Sequence, residues 1–146
     1  SISDVFDGTH YRKLVGEYIE VDGKRLSHHY FCDHHDITLT LCTDNYLPMV
    51  TLVILQNYNI PPTQHTHHEH LICVGIIPGP RQLKELLSFL SPLNDELAKL
   101  TYRVPTFDTG KRVLFDLHVY IIFKLGDILT IQKFLEIKGH NSIFPC

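Results

Sequence analysis

The sequence predicts a mixed α/β layer fold with the element order β-β-β-α-β-α. Three observations predict it. Three β-branched or apolar runs, residues 37–43, 50–56 and 71–77, follow one another with turn signals between them. A leucine stripe at three- and four-residue steps comes next, over residues 83–100. A fourth extended run, residues 113–124, lies beyond it, so a helix joins the third strand to the fourth.

Each element has its own reason. Residues 9–18 are a short helix candidate, and Asp22-Gly23 reads as the tip of a hairpin between residues 18–21 and 26–29. The first main strand, Ile-Thr-Leu-Thr-Leu-Cys-Thr, alternates in the period of an extended chain and runs into Asp44-Asn45. The second, Val-Thr-Leu-Val-Ile-Leu-Gln, is apolar enough for burial on both faces and is stopped by Pro61-Pro62. The third ends at Pro78-Gly79-Pro80. In the helix, Leu83, Leu86, Leu87, Leu90, Leu93, Leu97 and Leu100 share a face, with Lys84, Glu85, Asp95, Glu96 and Lys99 outside it. Pro92 is expected to kink or split this helix, with Asn94 capping the second half. Residues 106–112 read as a loop. The fourth strand ends at Leu125-Gly126-Asp127, and residues 128–137 read as a helix stopped by Gly139.

Composition narrows the function. The chain of 146 residues is 44% hydrophobic and 20% charged, which suits one folded domain with its own core. Its formal charge of −3 argues against a free-standing basic DNA-binding module. No apolar run reaches the roughly 20 residues that a membrane helix needs, so no membrane partner is expected. Cys32, Cys42, Cys73 and Cys146 form no paired framework, and a reduced intracellular compartment fits them better than secretion. The opening Ser-Ile-Ser-Asp is neither a signal peptide nor an initiator Met, and a piece of something longer is expected.

In layered α/β folds, chemistry gathers at strand ends. Asp44 and Asp127 stand there, after the first and fourth strands. Two carboxylates brought to one edge would suit hard divalent cations, although an Asp at a strand end is also a common turn former or helix cap. Eleven histidines are many for this length, and His65, His67, His68 and His70 crowd together around Glu69. They are candidate ligands for Zn²⁺, Ni²⁺ or Cu²⁺, against the simpler reading of a solvated loop. His34-His35 beside Cys32 and Asp33 invites a metal reading too, and a polar turn before the first strand explains it equally well.

Blocks spread along the chain carry a resemblance. Asp4-Val-Phe-Asp-Gly8, Arg25-Leu-Ser-His-His-Tyr-Phe31 and Asp36-Ile-Thr-Leu-Thr-Leu-Cys-Thr-Asp44 come first. Asn57-Tyr-Asn-Ile-Pro-Pro62, Gly75-Ile-Ile-Pro-Gly-Pro80 and Leu86-Leu-Ser-Phe-Leu-Ser-Pro-Leu93 follow. Leu125-Gly-Asp-Ile128, Lys138-Gly-His-Asn141 and Pro145-Cys146 close the series. In that order they resemble the catalytic region of CACTA-type (En/Spm-like) DNA transposases. The resemblance implies a ribonuclease-H-like mixed sheet, C-terminally truncated, with residues 1–36 as an N-terminal extension and 37–146 as a partial catalytic core. It implies DDE chemistry: Asp44 and Asp127 as the first two catalytic acids, two Mg²⁺ or Mn²⁺ ions, and a third acid, a Glu, downstream. The reaction it implies is DNA strand cleavage, followed by attack of the freed 3′-hydroxyl on target DNA. The implied partner is DNA at the transposon ends, bound by a parent protein in the nucleus, with oligomerisation of the parent left open.

Departures from the family pattern temper these expectations. Asn45 replaces a Gly, the stretch 46–56 is short and uncharged, and no Trp occurs in the chain. His118 stands where an Arg is common. His140 and Cys146 resemble the start of a zinc knuckle, which within this chain has no second Cys to close it. The fragment is therefore expected to be inactive as it stands and to bind DNA weakly alone. The competing expectation is a non-enzymatic, repurposed α/β domain that binds a protein partner or a transition metal through His65, His67, His68 and His70.

Overall fold

The computed structural model of the protein describes residues 4–45, 50–78 and 86–126. A 3₁₀ turn over Val5–Asp7, its first N–H accepted by the Asp4 carboxylate, leads into α1 (Thr9–Val15). Two strands follow, β1 (Tyr18–Val21) and β2 (Lys24–His29), paired antiparallel. Their link is Asp22-Gly23, both at positive φ (52° and 73°), the two-residue turn whose twist matches that of the strands it joins. The helix expected over residues 9–18 is shorter than its pattern. Gly16 N–H returns to the Lys13 carbonyl, and Tyr18 already belongs to β1.

The central sheet holds β3 (Ile37–Asn45), β4 (Val50–Asn57), β5 (Leu71–Pro78) and β8 (Val119–Leu125) in the order β5-β4-β3-β8. The first three are antiparallel neighbours, while β8 lies parallel to β3. The helix α2 (Leu86–Tyr102) supplies part of the long connection from β5 that a parallel strand requires. It continues through Pro92 without splitting, so no cap at Asn94 is needed. Its expected beginning at Leu83 lies outside the described residues, as does the helix expected over 128–137.

One element was misread from the pattern. The run 113–124 is two strands, β7 (Val113–Leu117) and β8, separated at His118. The first part of the segment expected as a loop, residues 106–108, belongs to β6 (Val104–Asp108), which pairs antiparallel with β7 in a separate hairpin, while residues 109–112 form its turn. Asp116 and His118 interrupt the apolar run there, but the pattern does not say that the chain leaves one sheet for another.

The two faces of the sheet bury different partners. Leu39, Leu41, Val53, Leu55, Ile77 and Val119 pack with Leu90 of α2. Tyr120 and Ile122 pack instead with Ile19, joined by Val5, Leu14, Val21, Leu26 and Phe31 from the N-terminal elements. These N-terminal side chains thus pack on one face of the central sheet. Among the described residues, no helix is long and apolar enough to cross a membrane.

Candidate functional site

Asp44 lies inside β3, one residue before its end, with Leu52 of β4 as its ladder partner. It is exposed, so its carboxylate meets solvent. A strand position with a partner replaces the simple turn-former reading. Two residues earlier, Cys42 is half-buried, and burial first, then Asp44, pushes its thiol up.

Parallel pairing brings the end of β8 alongside. Cys42 is the partner of Leu125, and Thr43 Oγ1 donates to the Leu125 carbonyl at 3.5 Å. The register slips by one residue between Leu39, opposite Ile121, and Thr40, opposite Phe123. Ile122 is the additional residue, and Ile122 and Phe123 consequently join the same apolar cluster although adjacent in sequence. Asp127, His140 and Cys146 lie outside the described residues.

The histidine-rich loop does not gather its imidazoles. His65 is turned inward, 8% exposed, and its Nε2 donates to the Ile60 carbonyl at 2.7 Å. That bond commits one of its two possible ligand atoms. The His65 carbonyl in turn accepts from Gln56 Nε2 at 2.9 Å, fastening the loop to β4. His67 and His68 are exposed, and the His67 and His70 rings stand 6.3 Å apart. The expected four-histidine ligand set is therefore not assembled, because one member is spent on holding the loop.

Side chains that could hold a metal converge instead on residues 32–36. Phe31 enters this segment at φ 56°, a strained conformation for a bulky residue, held by ring contacts with Tyr11 and Tyr120. Asp36 N–H closes a turn on the Asp33 carbonyl, and the Asp36 carboxylate accepts from Asp33 N–H at 3.2 Å. The polar turn expected here is present. It also delivers two ligand clusters.

In the first cluster, one potential ligand atom from each of Cys32, Asp36 and His118 lies within 4.8 Å of the others. Asp36 and His118 are buried, and His118 Nδ1 is 2.9 Å from Asp36 Oδ1. The His28 ring lies tilted against that of His118, centroids 4.5 Å apart, with its Nε2 buried without a partner. Burial first, then the charge of His118, draws the His28 imidazole down. Burial first, then Asp36, pushes the Cys32 thiol up.

The second cluster joins Asp33, His34 and His35. The His35 backbone N–H holds the Asp33 carboxyl below its usual range, aided by the ring at 2.8 Å. His35 Nε2 also reaches Asp108 of β6 at 3.3 Å, and its ring stacks on Phe115 of β7 at 4.0 Å.

The Asp36–His118 pair escaped sequence reasoning, which treated His118 only as a departure from a family pattern. The available signal was positional. Each residue immediately precedes a strand, and parallel pairing of those strands sets their first residues, Ile37 and Val119, side by side.

A family model described as Transposase family tnp2 matches residues 17–142. No curated protein and no solved structure matches the chain.

Proposed function

The chain belongs to the transposase family tnp2, and from that premise we propose that it is part of the DDE-type catalytic core of a CACTA-like element, whose parent protein acts on DNA at transposon ends in the nucleus. The parallel β3–β8 pair carries this reading. The sheet order β5-β4-β3-β8, three antiparallel strands with a parallel fourth, supports a ribonuclease-H-like core over residues 37–146 preceded by an extension over 1–36. The offset between Cys42 and Leu125 is also the offset between Asp44 and Asp127. A register continued by two residues would set the two carboxylates opposite each other.

Asp44 fits a hard cation: an exposed, charged oxygen donor on a rigid strand. In this reading Asp44 and Asp127 hold Mg²⁺ or Mn²⁺, with a third carboxylate expected downstream of Cys146. The ions would neutralise charge on the attacking and leaving oxygens during phosphoryl transfer. The protein's part in this reading would be to fix the spacing of the carboxylates.

Calorimetric titration of the chain with Mn²⁺ tests the assignment. Asp44→Ala should abolish the binding heat, and Asp127→Asn should weaken it by at least about tenfold. Unchanged heats in Asp44→Ala would overturn the site.

A further inference from the structure

We propose that Cys32, Asp36 and His118 form a site for one borderline divalent transition-metal ion of the zinc class, separate from Asp44. The donor set points to the ion. One sulfur, one carboxylate oxygen and one imidazole nitrogen suit Zn²⁺ or Co²⁺, whereas Mg²⁺ and Ca²⁺ select oxygen alone. The spacing fits as well. Ligands around a tetrahedral ion at bond lengths near 2.0–2.3 Å stand roughly 3.3–3.7 Å apart. The three ligand atoms already lie within 4.8 Å of one another, and the Asp36–His118 pair at 2.9 Å needs only to open slightly.

A second observation points the same way. Tyr120 is 1% exposed, and its hydroxyl has no hydrogen-bond partner. The Tyr120 ring stacks parallel to that of His118, centroids 6.2 Å apart, which sets the orphan hydroxyl on the residue that neighbours the donor set. A buried polar atom without a partner is costly in an apolar core. Next to a metal centre it gains a use, as an outer-shell donor to a ligating carboxylate. Cys32 is exposed and gives the ion an entry from solvent. Three protein ligands leave a fourth tetrahedral position open to water or to an incoming donor.

The site stands apart from the strand-end carboxylate. Asp36 and Asp44 are eight residues apart along one extended segment, about 26 Å. Loss of either site therefore leaves the other readable.

The test uses the full chain, kept reduced, with Co²⁺ alone as probe and Zn²⁺ as competitor. One equivalent of Co²⁺ should produce a thiolate-to-cobalt charge-transfer band that Zn²⁺ then abolishes. Cys32→Ser should remove the band, and His118→Gln should weaken Co²⁺ binding by more than about 100-fold, the upper end of outer-shell effects. Circular dichroism of both variants checks that the fold survives. Asp44→Ala, Cys146→Ser and a variant with His67, His68 and His70 all changed to Ala should keep the band. No band with wild-type protein, or a band that survives Cys32→Ser and disappears in the Cys146→Ser or triple-histidine variant, overturns the proposal.

Discussion

Asp36 is 4% exposed and holds two groups at once, the His118 ring and the Asp33 backbone N–H. Removing it leaves a polar ring and a main-chain donor without their acceptor in a closed space. Asp36→Ala should therefore cost about 3 kcal/mol, read as a lowered midpoint in urea denaturation. Asp108 acts differently, because it is tied chiefly through backbone donors: Gly110 N–H at 2.8 Å and Lys111 N–H at 3.0 Å. The Lys111 N–H is the main cause that holds its carboxyl below the ordinary 3.8. A depressed acid stabilises the fold above its unfolded value, and that contribution is lost as pH falls through the folded value. Melting temperatures measured downward from pH 5 should fall as pH passes 3.8, and Asp108→Asn should flatten that part of the curve.

At the scale of elements, Leu90 anchors α2 to the sheet. Leu90 is 2% exposed, and Leu93 and Leu100 pack at the margins of the same cluster. Leu90→Ala should cost about 2–5 kcal/mol, seen in chemical denaturation without change in the far-ultraviolet spectrum of the native state. The leucine stripe made this helix legible in the sequence, because a period of three to four has one structural meaning at that length. The Asp22-Gly23 turn and the β3, β4 and β5 strands were legible for the same kind of reason: local chemistry fixes them. The β6–β7 hairpin was not, because pairing between Val104 and Leu117 depends on contacts that no local pattern announces. Pro92 gave a misleading signal. The helix runs on around it, with tertiary packing on both sides.

At the scale of the molecule, one pair of parallel strands carries acidic side chains at both ends. Asp36 and His118 stand where β3 and β8 begin, and Asp44 stands where β3 ends. Asp44 was visible in the sequence because an Asp closing an alternating strand is itself a pattern. The Asp36–His118 pair was not, because its members meet only once β8 has come back parallel to β3. The histidine cluster erred in the opposite direction. Density along the chain looked like a ligand set, while the fold spends His65 on an internal bond.

The single residue by which β8 outruns β3 carries a further consequence. Through Phe123 the strand packs in the core, and Leu125 beyond it stands exposed beside Cys42 at the strand ends. Deleting Ile122 would keep Phe123 opposite Thr40 in an unbroken ladder, whereas deleting a residue beyond the slip, such as Lys124, would turn Leu125 to the opposite side of the sheet. Every side chain named above as a ligand would still be in the gene. In this strand a change of length is a change of site, and descendants of this sequence can lose a function through an indel that removes none of its functional residues.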